Sequence, residues 1–179
     1  MQKNPTSKDN SKALPLQYWL MKSEPDVFSI DDLKKNGSTL WEGVRNYQAR
    51  NFMMKDMKIG DWVIFYHSNA TPSGIAGLGK VSKLAVPDIS AQDPKSEYYD
   101  PKANPQNPIW YCVEVSFVKK FKNFISLQEL KNYSELEDML VLKKGQRLSI
   151  QPVSKTHFEF IEELGTGFAT KSLKPELNL

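Results

Sequence analysis

The sequence is short of the residues from which metal and thiol chemistry is built. Of its 179 residues, one is cysteine and two are histidine. The single Cys112 excludes an internal disulfide and a multi-cysteine metal site, and no motif spacing joins it to His67 or His157. We therefore expect no metal, no cofactor and an intracellular protein. That location would be cytoplasmic for a bacterial source, with the nucleus open for a eukaryotic one.

Long apolar runs are also missing. No stretch approaches the roughly 20 apolar residues that a membrane-spanning helix needs, so we expect no membrane contact. The 24 basic residues exceed the 21 acidic ones by three, an excess that permits contact with a polyanion without requiring it. The length predicts one domain at residues 16–166, between flexible tails at residues 1–15 and 167–179, and we expect a monomer.

Local patterns predict an α+β chain. Apolar or alternating runs indicate strands near residues 17–21, 62–67, 74–84, 109–121 and 147–153. Helix starts are indicated by the capping candidates Ser29, Asn46, Ser126, Ser134 and Ser154, and helix ends by Gly37 and Gly165. Five prolines between Pro87 and Pro108 predict a long irregular loop. The strand spacing is too irregular for repeated βαβ units and favours an antiparallel or mixed barrel.

The run "GIAGLGKVSKL" at residues 74–84 contains three glycines. Glycines weaken a strand unless another backbone or a ligand must approach closely. A bulged or sharply coiled strand is the favoured explanation, and a ligand is the other. The run does not match a dinucleotide-binding fingerprint, because no helix follows it.

Candidate catalytic residues are few. His67 adjoins Ser68, but sequence neighbours at a strand end point in opposite directions. Cys112 has the pattern of a small buried residue. A hydrolytic enzyme built on Ser68 or Cys112 is therefore the least favoured hypothesis, and we predict no catalytic residue.

Aromatic residues repeatedly stand beside polar ones. Trp19 lies near Lys22, and Trp41 lies near Arg45 and Asn46. Proteins hold planar bases by stacking them on aromatic rings and by hydrogen-bonding their edges. The alternative, which composition alone favours, is that these tryptophans are core residues.

A series of motifs then matches a known family. In chain order they are "YWLMKSEP", "FSIDDL", "WEGVRNYQARNFM", "GDWVIFYHS", "GIAGLGKV", "WYCVEV" and "QPVS". Residues 17–165 thereby resemble the EVE domain, a PUA-like domain related to the YTH and ASCH domains. The resemblance implies an α+β fold with a small mixed or antiparallel β-barrel of about five or six strands and surrounding helices. It also implies a non-enzymatic nucleic-acid-binding module that recognises a modified base, foremost a modified cytosine, in DNA or RNA.

The resemblance also implies the site. Trp41 stands where the similar YTH domain has a tryptophan forming one wall of an aromatic cage. The predicted base pocket comprises Trp41, Ser23 and Asn46 first, then Lys22, His67, Ser68 and Gln151, and last Trp19 and Tyr98. Arg45 and Arg50, together with Lys22, are the candidates for contacts to the nucleic-acid backbone. The alternative functions are small-molecule or nucleoside binding, and partnership in an RNA-modification system.

Overall fold

The computed structural model describes residues 15–167, which fold as α+β. The elements are β1 Tyr18–Ser23, α1 Ile30–Asn36, β2 Ser38–Leu40, α2 Tyr47–Asn51, β3 Trp62–His67, β4 Gly74–Pro87, β5 Tyr111–Ser126, α3 Leu127–Leu130, β6 Ile150–Val153 and α4 Lys155–Thr166. A π-helical turn, Phe52–Asp56, continues α2. Except for Pro15 and Gly167, the two predicted tails lie outside the described residues. Within residues 15–167, no helix has the length and apolar character that crossing a membrane requires.

The six strands form one mixed sheet in the order β2-β5-β4-β3-β1-β6. Only β1 and β3 run parallel, and every other pair is antiparallel. The predicted α+β class and strand number are confirmed. The predicted barrel is corrected, because the sheet is open: its two edge strands, β2 and β6, do not pair with each other in residues 15–167. Closure depends on where strand edges meet, which no local pattern encodes.

Several helix boundaries follow directly from local hydrogen bonding. The predicted capping box of α1 forms, with the Asp32 N–H donating to Ser29 Oγ at 3.2 Å and the Ser29 N–H donating to Asp32 Oδ2 at 2.8 Å. The predicted end of α4 is two residues early. The helix runs to Thr166 and is capped by Gly167, whose φ is +81°. Gly165 lies inside it, where a Cβ would overlap the ring of Phe121.

The glycines of β4 admit the neighbouring backbone of β5. A Cβ on Gly77 would overlap the carbonyl oxygen of Lys119, and one on Gly74 would overlap that of Ile125. The pairing of β4 with β5 shifts register at four places, which is the signature of bulges. The bulged-strand explanation of this glycine-rich run is therefore confirmed.

Apolar side chains pack on both faces of the sheet. Along β1, Trp19 and Met21 enter one core cluster and Leu20 enters the other, as strand alternation requires. The first cluster includes buried residues of α1 and α2, and the second includes those of α3 and α4. The sheet is thus covered by helices on each face, and the segment that connects β2 to α2 emerges beside the first cluster.

Candidate functional site

A cleft of about 920 Å³ opens beside the ends of β1 and β3. Because these two strands are parallel, their carboxyl ends lie side by side. Ser23 is opposite His67, and the N–H of Ser68 donates to the Ser23 carbonyl oxygen at 2.9 Å. The cleft is lined by residues from these two strand ends, from the segment before α2, from the loop before β5 and from the loop before β6, namely Lys22, Ser23, Glu24, Val27, Phe28, Thr39, Leu40, Trp41, Glu42, Gly43, Val44, Arg45, Ser68, Asn69, Glu97, Tyr98, Gln146, Arg147 and Ser149.

Trp41 belongs to both the core and the cleft. Its side chain packs edge-on against Phe65 with 5.4 Å between ring centroids, and its backbone N–H donates to the Val113 carbonyl oxygen at 2.9 Å. Only 7% of the residue is exposed, yet it lines the cleft. The core and pocket interpretations of this tryptophan are therefore compatible, because the core fixes a ring that borders the cavity.

Tyr98 contributes a second ring to the cleft. It lies so close to Gly43 that a Cβ there would come within 2.9 Å of the ring, and Gly43 has a φ of +81°. Glycine at this position therefore serves both the backbone turn and the close approach of the ring. Burial, with smaller contributions from Glu97 and Glu24, raises the pKa of the Tyr98 phenol. The hydroxyl stays protonated at neutral pH and so can donate as well as accept a hydrogen bond.

An ion pair attaches the Tyr98 loop to the wall of the cleft. Arg45 Nη1 lies 2.8 Å from Asp88 Oδ2, and Arg45 Nε donates to the Tyr98 carbonyl oxygen at 2.8 Å. Asp88 Oδ2 also accepts the N–H of Gly43 at 3.0 Å. Burial opposes ionisation of Asp88, but hydrogen bonds from Ser90, Arg45 and Gly43 together hold the pKa of this carboxyl below its ordinary value. The Asp88 carboxylate that pairs with Arg45 is therefore ionised at neutral pH.

Lys22 and Ser23 end β1 at the floor of the cleft. Ser23 Oγ donates to the Phe28 carbonyl oxygen at 2.6 Å, which fixes the hydroxyl and leaves its lone pairs available. Lys22 is half-buried, and burial lowers the pKa of its ammonium group. Across residues 15–167 no hydrogen bond or ion pair engages Lys22 Nζ, so this donor is available at the cleft.

The remaining charges of the cleft are mixed. Three acidic residues, Glu24, Glu42 and Glu97, line it together with three basic ones. Burial, and then the charge of Asp88, raises the pKa of the Glu42 carboxyl. Arg147 is exposed at the rim and forms no ion pair with any described residue. The cleft thus combines two aromatic rings with both donors and acceptors.

The segments that frame this cleft lie within a single family match. The EVE domain model matches residues 17–164.

The chain belongs to the EVE domain family.

Relatives and solved structures agree with this assignment. The chain is 43% identical to human thymocyte nuclear protein 1 over 181 residues, covering 91% of this chain and 80% of that protein. It resembles the crystal structure of a Pseudomonas syringae protein at 49% identity and a TM-score of 0.79, covering 82% and 98% of the two chains. It also resembles human THYN1 protein in complex with 5-methylcytosine-containing DNA, at 44% identity and a TM-score of 0.78, covering 87% and 99%.

Five of the nine residues predicted for the base pocket line the EVE domain cleft. They are Trp41, Ser23, Lys22, Ser68 and Tyr98. Their contact with a base remains a prediction. The other four do not line the cleft, and each has a different place in the fold.

Trp19 and Gln151 are buried away from the cleft. Trp19 is 2% exposed, and its Nε1–H donates to Asp61 Oδ2 at 3.1 Å. Gln151 is 1% exposed, and its Nε2 donates to the Leu148 carbonyl oxygen at 2.9 Å. It borders a separate cavity of about 210 Å³ near the start of α4. Both predictions are corrected, because Trp19 and Gln151 lie at paired positions inside the sheet and not at the strand ends that border the cleft.

Asn46 and His67 each accept a backbone hydrogen bond at the start of a helix. Asn46 Oδ1 accepts the N–H of Ala49 at 3.0 Å and caps α2. His67 Nε2 accepts the N–H of Ile30 at 3.1 Å, at the first turn of α1. Neither residue lines the cleft, and His67 Nε2 is not free to act as a base toward Ser68. The sequence predicts Asn46 both as a helix cap and as a base-pocket residue, and the structure shows the capping role.

The two predicted backbone-contacting arginines are engaged inside the protein. Arg45 lines the cleft but is committed to Asp88 and to the Tyr98 carbonyl oxygen. Arg50 lies outside the cleft lining and donates to Asn51 Oδ1 and to the Ile109 carbonyl oxygen. Arg147, which the sequence analysis did not single out, is the more available guanidinium. The sequence places it at the start of the strand predicted over residues 147–153, whereas β6 begins only at Ile150 and leaves Arg147 in the preceding loop.

Two further observations concern Cys112 and the residues that could bind a metal. Cys112 is fully buried, and burial raises the pKa of its thiol to about 12, so it stays protonated and unreactive. No group of three or more His, Cys, Asp or Glu side chains in residues 15–167 could hold a metal ion.

Proposed function

We propose that this EVE domain binds nucleic acid by taking one modified base, foremost a modified cytosine, into the cleft beside Trp41 and Tyr98. Binding involves no chemical transformation. The observation that carries the proposal is a cleft with two aromatic rings in a chain 44% identical to human THYN1 protein, whose structure contains 5-methylcytosine DNA. DNA is therefore the first candidate and RNA the second. An intracellular location, where such polymers occur, belongs to the same proposal.

The cleft matches the chemistry of a modified cytosine. Its ring and added methyl group present apolar surface that aromatic walls cover. Its N4 amino group is a donor, for which the Glu42 carboxylate is an acceptor, and its remaining polar atoms are acceptors, for which the Tyr98 hydroxyl is a donor. These two side chains replace Asn46 as the proposed readers of the base edge.

Stacking alone does not provide high affinity. Each stacked base contributes about 1–3 kcal/mol, while unstacking a base from its strand costs a few kcal/mol. The remaining free energy must come from phosphate contacts, which are salt-dependent. Lys22 and Arg147 are the proposed contributors, because neither has an acidic partner among the residues that the structure describes.

The first experiment compares binding of oligonucleotides with and without one 5-methylcytosine. Trp41→Ala alone is not a clean test, because removing a nearly buried tryptophan costs about 3–5 kcal/mol of folding stability. Trp41→Phe keeps a ring, and we expect it to lower the preference for the modified strand several-fold in a folded protein. The matched control is Trp62→Phe, which alters a tryptophan outside the cleft that packs on Phe158.

The result against the proposal would be equal and equally salt-sensitive affinity of the unaltered protein for modified and plain strands. Such binding would reflect charge alone.

The mixed charge of the cleft supports a second candidate, the binding of a free nucleoside or another small molecule. Glu24, Glu42 and Glu97 disfavour phosphates close to the base position. A ligand that binds the folded state raises its melting temperature. Stabilisation by 5-methyldeoxycytidine equal to that by a modified oligonucleotide, each at saturation, would favour this candidate.

A further inference from the structure

An exposed aromatic platform lies next to the cleft, outside its lining. It consists of Tyr47, Trp110 and Arg50. Tyr47 opens α2 and is 58% exposed, while Trp110 is 5% exposed. Their rings stack with 4.9 Å between centroids and 24° between planes. A hydrogen bond fixes Trp110, since its Nε1–H donates to Asp100 Oδ2 at 2.7 Å.

Arg50 does not cover the outer face of Tyr47, which is the face opposite Trp110. The Arg50 guanidinium carbon lies 4.7 Å from the Tyr47 centroid and 5.8 Å from that of Trp110. If Arg50 covered the face of Tyr47 opposite Trp110, its distance to Trp110 would approach the sum of the other two separations. The guanidinium therefore does not lie directly opposite Trp110 across the Tyr47 ring. One face of Tyr47 packs on Trp110, and the 58% exposure of the residue leaves ring surface accessible to a planar ligand.

The platform carries positive charge. Arg50 donates to the Asn51 side-chain oxygen and to the Ile109 carbonyl oxygen, which are both uncharged. No carboxylate pairs with it in the described part of the chain. An aromatic face beside an uncompensated guanidinium complements a base that remains attached to its phosphate.

The platform and the cleft share a wall. Arg45 lines the cleft, and its guanidinium carbon lies 5.5 Å from the Trp110 centroid. Tyr47 follows Arg45 by two residues. A strand with one base in the cleft would therefore pass the platform with an adjacent nucleotide.

We propose that the outer face of Tyr47 stacks a base next to the one held in the cleft, with Arg50 beside the phosphate of that nucleotide. The occupant is thus a neighbouring base of the same strand. This inference rests on the proposed function, since it requires a strand anchored in the cleft. It extends the site from a single base to at least two nucleotides.

The test uses single-stranded oligonucleotides with one central 5-methylcytosine. Either the 5′ or the 3′ neighbouring base is replaced by an abasic site. In the unaltered protein, we expect one of the two replacements to weaken binding about tenfold. Tyr47→Leu keeps an apolar cover on Trp110 but removes stacking, and should lose the same factor on the intact strand and show no further loss at the abasic site. Tyr47→Phe should behave as the unaltered protein.

Two outcomes would overturn the inference. In one, Tyr47→Leu binds the intact strand as tightly as the unaltered protein. In the other, the variant weakens intact and abasic strands equally, which would indicate a structural role only. The proposed function is read separately from the ratio of affinities for a central 5-methylcytosine and a central cytosine. A ratio of one would contradict that function without removing the effect of the neighbouring base.

Discussion

At the scale of single residues, His67 couples the end of β3 to the start of α1. Its Nε2 accepts the N–H of Ile30, which requires an unprotonated nitrogen. Burial, the largest effect, lowers the pKa of the imidazole; Asp31 opposes this and Lys120 adds to it. Protonation would also place a positive charge at the amino end of a helix, where the helix dipole disfavours it.

The sign of the pH dependence follows. The folded-state pKa of His67 lies below its unfolded value of about 6.5, so its contribution to stability is complete above that pH. The contribution is lost as the pH falls through the folded-state pKa. Between pH 7 and 5, we expect the urea midpoint of the unaltered protein to fall more than that of His67→Gln, which has an acceptor that does not titrate.

The other histidine provides the control for this pH experiment. His157→Gln should retain the full fall in the urea midpoint, because the His157 side chain does not accept the Ile30 N–H. Parallel pH profiles for His67→Gln and the unaltered protein would contradict the assigned role of His67.

At the scale of elements, the loop between β4 and β5 is an ordered unit with a small core of its own. Ala91, Ala103 and Trp110 are buried together, with Ile109 packed against them. Its link to the cleft wall is Asp88, whose carboxylate receives Arg45, Gly43 and Ser90. The position of Tyr98 therefore depends on this carboxylate together with the hydrogen bond from Arg45 Nε to the Tyr98 carbonyl oxygen.

Replacement of Asp88 by Asn should release this loop. We expect Asp88→Asn to lower the free energy of unfolding by about 2–3 kcal/mol, since it leaves Arg45 without its counter-ion. Amide exchange within residues 88–110 should accelerate more than exchange in β1. Urea unfolding and hydrogen-exchange mass spectrometry measure these effects. Ser90→Ala is the milder control, and uniform acceleration across the chain would count against a local tether.

Elements differ in how well the sequence predicted them. Caps such as Ser29 and Asn46 are local, because donor and acceptor are three residues apart, and the helix starts predicted at Ser29, Asn46, Ser126 and Ser154 are confirmed. The cap predicted at Ser134 is wrong, since that residue lies within a three-residue 3₁₀ turn that no side chain caps. The strand β2 was missed. Its three residues, Ser38–Leu40, carry no alternating pattern and extend only by pairing with β5. The five prolines predicted an irregular loop, but they do not encode that Asp88 folds it onto Gly43.

At the scale of the whole molecule, the cleft is a product of tertiary structure. Trp41 and Arg147 stand more than 100 residues apart in the chain and line the same cavity. The family motifs predicted Trp41 and the strand-end residues Lys22 and Ser23 as pocket candidates. They could not distinguish side chains that face the cavity from those that face the core, because that choice is set by sheet register and helix capping.

The charge distribution gives a prediction for the intact protein. Removing a phosphate contact lowers the slope of log affinity against log salt by about 0.7–0.9 per contact. We expect Lys22→Ala and Arg147→Ala each to lower this slope and to weaken modified and plain strands alike. Fluorescence anisotropy at several salt concentrations measures it. Lys155→Ala on α4 is the control. Unchanged slopes in both cleft variants would contradict phosphate contacts by Lys22 and Arg147.

The four tryptophans have separate environments, which gives the molecule a built-in optical probe. Trp19 and Trp62 pack on Phe52 and Phe158, and Trp110 lies beneath Tyr47, so only Trp41 borders the cleft. A base stacked on Trp41 would quench that indole's emission and leave the emission of Trp19 and Trp62 as an internal reference. Occupancy of the cleft could then be followed without a label.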